Sequence, residues 1–334
     1  MDIVDCHIHW YPSGYYELLS KRPDYPRATR SPDGWTYWKQ GRSDTHSDVW
    51  FDLDEQFAAM DATGHRISVI SSMGIIGDLD GLPAEEAHEA SLLINEEWSA
   101  AQRRYPGRFF AAAAVPLQDT ELAIEVLDDA VGRLDLRGVS IPGSIEGEPI
   151  DAPRLEPFYA RAAELGVPLV IHPTDGVFVE PMLDPYGERT YAALGRMVDS
   201  STAVLRLILS GLFDRLPALK VLHCHAGGVL PFISGRLDKN ATIASLAEPP
   251  SAYLKKMWVD TVAPNPLSIT FAVDFYGADR VFYGSDFPCW KPAAAIGALE
   301  AAKLDDDVRE AIFTRNVHEL FDLSVPAGAR PAPV

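Results

Sequence analysis

His7 and His9 stand two residues apart in DCHIH, close to the start of the chain. On a strand, residues i and i+2 share a face. Both imidazoles therefore project together, toward a sheet interior if Cys6 and Ile8 face outward. Two neutral imidazoles on one face suit a borderline cation such as zinc. The pair alone is a weak signal. With nine histidines in 334 residues, such a spacing arises by chance in about one chain in four. A second pair, His223 and His225, is present.

Three further positions strengthen the signal. His172 in LVIHPTD, His225 in LHCHAGG and Asp286 in FYGSDFP each follow a short apolar run. Packing gives no reason to place imidazoles and a carboxylate at core-facing strand ends, because their desolvation is unfavourable. A shared cation removes that penalty, and three imidazoles with one carboxylate leave a position open for chemistry. His225 lies beside Gly227 and Gly228. It reads either as a general acid or base or as a buried structural histidine bonded to backbone.

The elements that must position these residues alternate. Strand-like runs fall at 2–8, 66–71, 109–115, 137–141, 167–172, 219–224, 257–262 and 280–284. Each is short, apolar and bounded by polar, Gly or Pro residues. Amphipathic stretches lie between them, at 53–63, 121–133 and 155–165, the last behind Asp151 and Pro153 as cap and first-turn proline. Eight strand–helix alternations predict the α/β class and a (β/α)8 barrel. A doubly wound sheet is the alternative, but no glycine-rich phosphate loop follows the first run. The domain expected is one barrel over 1–325, with 326–334 as a disordered tail. Segment 10–50, rich in Trp, Tyr, Pro and Arg, breaks the rhythm and reads as a flap inserted after the first strand. A second long insertion is read at 174–196.

Composition narrows the partners. Lys plus Arg number 29 and Asp plus Glu 48, a formal charge of −19. So acidic a chain is repelled by nucleic acid and by anionic membranes, and an anionic substrate needs local cations to capture it. Three cysteines make no disulfide framework. MDIVDCHIHW carries no basic start and no long apolar core, so no signal peptide is expected and a cytoplasmic location is. No run approaches a membrane span.

DCHIH, MDATG at 60–64, RRYPGRFFAAAAVPLQD at 103–119, GVPLVIHP at 166–173, FDRLPALKVLHCHAGGVLPFISGRLD at 213–238 and YGSDFP at 283–288 carry a resemblance. Over roughly 1–323 the chain resembles the amidohydrolase superfamily, and within it the 2-amino-3-carboxymuconate-6-semialdehyde decarboxylase branch. HAGGxLPFxxGR is the most specific of these motifs, and His-x-His is generic. The fourth run, RGVSIPGS, has no lysine, which implies one metal rather than two. The resemblance implies a divalent ion, zinc first and manganese second, on His7, His9, His172 and Asp286. It implies His225 as the catalytic acid or base, working with Asp286. It also implies Arg236 as a substrate-carboxylate ligand acting across a homodimer interface, and Arg42 as a second carboxylate ligand, although its spacing is off by about two residues. Thr174, a candidate substrate contact, stands where the branch has tryptophan, and His223 where it has an apolar residue, so the branch's own substrate does not transfer. His223 is expected to be a core residue.

The activity expected is a metal-dependent, non-oxidative decarboxylation of a small aromatic or conjugated carboxylic acid. The alternative is a hydrolase or hydratase working from the same mononuclear site, and a catalytically silent binding barrel is a third reading. Tyr15, Tyr16, Trp35, Tyr37 and Trp38 either stack on substrate or pack the insertion down. Cys6 and Cys224 are expected to face the helix layer, and Cys289 to lie at the mouth. His46, His65, His88 and His318 are expected at the surface or at caps, with His46 as a possible substrate contact.

Overall fold

The computed structural model describes residues 2–39, 42–71, 79–174, 183, 186, 188–242, 245–263 and 265–323. The tail 326–334 and the first part of the 174–196 insertion, 175–182, lie outside them. Residues 188–196 of that insertion are helical, in Glu188–Leu209.

The chain opens with β1 (Asp2–Ile8) and a helix at Ser13–Leu19. Next come β2 (Arg27–Ser31), β3 (Gly34–Lys39) and β4 (Arg42–His46), which form a small antiparallel sheet. Segment 10–50 is thus regular structure. Cross-strand pairs such as Thr36 with Thr45, bonded through their hydroxyls at 3.0 Å, stabilise it without the alternating burial that a sequence pattern reveals. The strands continue as β5 (Arg66–Ser71), β6 (Phe109–Ala113), β7 (Gly138–Ile141), β8 (Ser144–Ile145), β9 (Glu148–Pro149), β10 (Leu169–Ile171), β11 (Val221–His223), β12 (Trp258–Asp260) and β13 (Val281–Phe282).

Eight of these strands form one sheet in the order β1-β5-β6-β7-β10-β11-β12-β13, and every pairing in it is parallel. All eight runs read from the sequence are present as its strands. The sheet closes on itself. Cys6 N–H donates to the Tyr283 carbonyl at 2.9 Å, His9 N–H to that of Phe287 at 2.8 Å and Asp286 N–H to that of His7 at 2.8 Å. The fold is a (β/α)8 barrel. The helices Leu53–Asp61, Thr120–Gly132 and Glu156–Leu165 occupy the amphipathic stretches. Asp52 and Asp119 cap the first two through their carboxylates. Asp151 is not a cap; its carboxylate accepts from Arg206 Nε at 2.7 Å, and Pro153 starts a short 3-10 turn behind Ala152.

Strand residues divide between two apolar clusters. Ile67, Val69, Ala111, Val139, Leu169, Ile171, Val221, Val259 and Val281 pack against the helices. Their alternates Val4, Ile70, Ala112, Val170, Leu222 and Phe282 meet inside the barrel, where Val317, Leu320 and Phe321 of the last helix pack with them. Gly138 belongs to this inner set, since a Cβ there would lie 3.2 Å from the Phe321 ring. Cys6 and Cys224 are also inner residues, contrary to the expectation that they face the helices. Regular alternation from the inner residues Val4 and Leu222 already places Cys6 and Cys224 inside. The register shift between Asp5 and Ile8 breaks that alternation beyond Cys6, so Ile8 packs on the helix side.

His223 lies on the helix side of β11, fully buried, with Nε2 at 3.1 Å from Ser200 Oγ. It is a core residue. Burial is the main cause that takes its imidazole down to about 3; Asp260 opposes the shift and His225 adds to it. The unfolded imidazole takes a proton near pH 6.5, and the folded one only near 3. The stability His223 contributes is therefore full above pH 6.5 and falls as pH drops from 6.5 toward 3. Urea midpoints at pH 7 and pH 4.5 should differ by less in His223→Gln than in the parent. The expected difference is on the order of 2–3 kcal/mol of acid-dependent stability.

Candidate active site

β1 delivers His7 and His9, the loop after β10 delivers His172, the loop after β11 delivers His225 and the loop after β13 delivers Asp286. All five side chains are buried and meet at the C-terminal mouth of the barrel. The His7 ring centroid lies 5.2 Å from that of His9, 5.1 Å from His172 and 4.9 Å from His225. His9 and His172 are 5.0 Å apart, and His172 and His225 5.1 Å. Asp286 sits among them, Oδ1 3.0 Å from His9 Nε2 and 3.6 Å from His7 Nε2, and Oδ2 3.9 Å from His225 Nε2.

The nitrogens are aimed. His172 Nδ1 lies 2.8 Å from the Pro173 carbonyl, and His7 Nδ1 lies 2.7 Å from Asp260 Oδ2. Each oxygen fixes the N–H on Nδ1 and leaves Nε2 with its lone pair. His7 Nε2 and His172 Nε2 are buried with no hydrogen-bond partner. Buried, unpartnered imidazole nitrogens within 4.8 Å of the His9 ligand atom are a costly arrangement unless a cation is shared between them. An N3O donor set on a borderline divalent ion fits them.

Electrostatics agrees at Asp286 and His172; at His7, burial is outweighed by Cys224 and Asp260, which raise the imidazole well above the usual histidine range. Burial alone raises a carboxyl, but the His225 imidazole beside it, the hydrogen bond with His9 and the charge of His7 hold Asp286 well below the usual carboxylate range. Burial, then the neighbouring imidazoles, keeps His172 well below the usual histidine range, against the pull of Asp286. A neutral imidazole beside an ionised carboxylate is the protonation state a metal ligand set needs.

Backbone geometry sets the remaining orientations. His225 and Ala226 have φ of 58° and 54°, and Asp286 has 58°. Non-glycine residues in this region are strained, and such strain collects where chemistry is placed. Gly227 and Gly228 extend the same left-handed run at 78° and 61°, which only glycine tolerates freely.

Asp260 escaped the sequence reading. It is fully buried at the end of β12. Its Oδ2 takes the His7 bond, and its Oδ1 accepts the N–H groups of Ala226 at 3.1 Å and Val262 at 3.0 Å. One carboxylate thus orients His7 and holds the strained His225 turn. The signal was available, because MWVDTV ends a strand run in the same way as the runs before His172 and Asp286. Asp5 is a second such group. Its Oδ1 accepts N–H from His7 at 3.1 Å and from Ser285 at 3.0 Å, tying together the segments that carry His7 and Asp286.

The other expected site residues fall differently. Thr174 is buried, and its N–H and hydroxyl reach Asp199 Oδ2 at 2.8 and 3.3 Å, so its hydroxyl already has a partner. Arg236 is exposed on the helix Leu230–Asn240 and forms no ion pair with any described residue. Arg42 opens β4, and its side chain lies outside the described residues. Tyr15, Tyr16 and Tyr37 are buried in the core and pack the insertion down. The aromatic rings that reach the site are Tyr11 and Trp50, stacked on His9 at 6.2 and 6.1 Å and on each other at 5.4 Å. His46 is buried rather than at the surface, its ring 4.6 Å from Trp50. His65, His88 and His318 are half-buried, and Cys289 is exposed.

Comparison with known proteins follows the same lines. The amidohydrolase family model matches residues 4–323. The 2-amino-3-carboxymuconate-6-semialdehyde decarboxylase of Dictyostelium discoideum is 27% identical over 273 residues, covering 79% of this chain and 72% of that protein. The gamma-resorcylate decarboxylase of Rhizobium radiobacter is 28% identical over 310 residues, covering 83% and 91%. Among solved structures, the 5-carboxyvanillate decarboxylase of Sphingomonas paucimobilis superimposes with a TM-score of 0.84 at 22% identity, covering 96% of this chain and 99% of that one. A match running from β1 to the last helix places this chain in the amidohydrolase family.

Proposed function

We propose that the protein is a metal-dependent, non-oxidative decarboxylase of a small aromatic carboxylic acid. The observation that carries this is the buried cluster of His7, His9, His172 and Asp286 with His225 against it. The relatives named above, decarboxylases of aromatic or conjugated acids, support the substrate class. His7, His9, His172 and Asp286 would hold one divalent ion. Solved decarboxylases of similar fold carry manganese, and the ligand set accepts zinc equally well. When bound, the ion supplies Lewis-acid stabilisation of negative charge on substrate oxygens.

The chain's own residues do the rest. His225 donates a proton to the ring carbon that bears the carboxylate. The bond from that carbon to the carboxylate then breaks, carbon dioxide leaves, and the electron pair returns to the ring. His225 recovers its proton from solvent. Asp286 keeps the His225 imidazole oriented, and Tyr11 and Trp50 form an apolar wall beside His9. Asp260 fixes the tautomer of His7.

Arg236 would complete the site of a neighbouring subunit in a homodimer. Phe232 at 84% exposure on its helix, and Leu267 at 79% on Pro266–Tyr276, leave an apolar face beside it. A cytoplasmic setting fits the three free cysteines. No helix among the described residues is long and apolar enough to cross a membrane.

Metal-loaded protein should release carbon dioxide from 2,6-dihydroxybenzoate or 6-methylsalicylate, measured by coupled assay and by proton NMR of the phenol. His225→Ala should lower kcat about 10²- to 10⁴-fold with metal content unchanged. Water uptake into the product without carbon dioxide would favour a hydrolase instead. Asp260→Ala should weaken divalent-ion affinity about 10- to 100-fold, read by titration calorimetry on chelator-stripped protein. Unchanged affinity would show that His7 is oriented without it.

A further inference from the structure

The helix Glu188–Leu209 packs on both loops that feed the site. Asp199 accepts the Thr174 N–H two residues beyond His172. Ser200 Oγ meets His223 Nε2, and Ser201 Oγ accepts the Val229 N–H at 2.9 Å. A Cβ on Gly228 would stand 3.0 Å from the Met197 carbonyl. Residues three and four apart share a helix face, so Arg196 lies on the face of Asp199 and Ser200, nearly one turn nearer the N-terminal end. A helix that follows a barrel strand runs back down the barrel, which puts its N-terminal end at the mouth.

Arg196 is half-buried, and its Nε is fully enclosed without a hydrogen-bond partner. It forms no ion pair with any described residue. Its charge acts on His46, which meets the Trp50 ring edge to face, and on Cys289, three residues past Asp286. Asp44 lies in the same electrostatic neighbourhood, but not at ion-pairing distance. A buried guanidinium Nε–H with no acceptor is costly to maintain. In a chain carrying −19, cations near the mouth are what an anion must find.

We propose that Arg196 binds a carboxylate oxygen of the substrate at the barrel mouth and so selects acids over their decarboxylated products. The guanidinium fork matches a carboxylate. This assignment rests on the decarboxylase reading for its substrate, and its binding test stands apart from turnover.

The test uses metal-loaded wild type, Arg196→Gln and Arg196→Lys, with 2,6-dihydroxybenzoate and resorcinol as paired probes in titration calorimetry. Thermal melts check folding. Arg196→Gln should raise the Kd for the acid at least tenfold and shift that for resorcinol less than threefold. Arg196→Lys should fall between, and it serves if the glutamine variant does not fold. KM for the acid should rise more than kcat falls. Equal shifts for both probes, no shift for the acid, or no wild-type affinity for the acid would each overturn the assignment. Loss of acid affinity in a protein that releases no carbon dioxide from any acid would keep Arg196 as an anion site and sink the reaction. Release of carbon dioxide with unchanged acid affinity in the variants would do the reverse.

Discussion

The site depends on the bond between His7 Nδ1 and Asp260. Four imidazoles whose centroids lie about 5 Å from His7 or His172 present several lone pairs to one small volume. Without fixed tautomers the rings could turn to bond one another or Asp286, and the cluster would close. The carboxylate on one side of His7, and the Pro173 carbonyl on one side of His172, prevent this by occupying the outer nitrogens. The inner nitrogens are left facing a common centre. Asp260 also receives the Ala226 N–H, so the group that orients His7 also holds the left-handed turn carrying His225. Moving either would disturb both.

Much of this was legible in the sequence, for a physical reason. Parallel barrel strands are buried on both faces, so they appear as short apolar runs, and all eight stood out. Polar residues at the ends of those runs are expensive unless they have a function, which singled out His172, His225 and Asp286. What stayed hidden was local geometry. The register shift in β1 turns Ile8 to the helix side although Val4 and Cys6 are inner residues, and no residue type in DCHIH announces it. The small sheet β2–β4 was obscured because its residues are half-exposed and do not alternate. Arg196 was hidden by a different cause: its importance comes from the helix face it shares with Asp199, across a stretch with no clear period. Asp260 could have been found by applying the strand-end rule evenly to every run.

The aromatic residues of segment 10–50 divide by distance from the barrel. Tyr16 packs against Phe51 and Trp35 at 4.8 and 5.7 Å, anchoring the small sheet. Among the described residues of the segment, Tyr11 and Trp50, at its two ends, are the ones that stack on His9. The excursion therefore leaves and rejoins the barrel through the two rings that touch a proposed metal ligand. Its own folding fixes one wall of the site, and Gln56 reinforces the junction by donating to the carbonyls of His9 and Val49 at 3.0 and 2.9 Å.

Charge sets the remaining constraint. The protein's overall field repels an acid, while the mouth must attract one and release a neutral or less charged product. A divalent ion held by three neutral imidazoles and one carboxylate keeps a net positive charge, so it attracts the substrate without the surrounding protein being basic. Attraction to a point charge does not discriminate between a carboxylate and a phenolate oxygen. Discrimination needs a donor of fixed shape at a fixed distance from the ion. In this fold such a donor is best carried on a helix clamped to the loops that hold the ligands, and the helix containing Asp199 and Ser201 is clamped in that way. With Arg196 as that donor, as proposed, ligand positions and substrate selectivity would be set by the same hydrogen bonds.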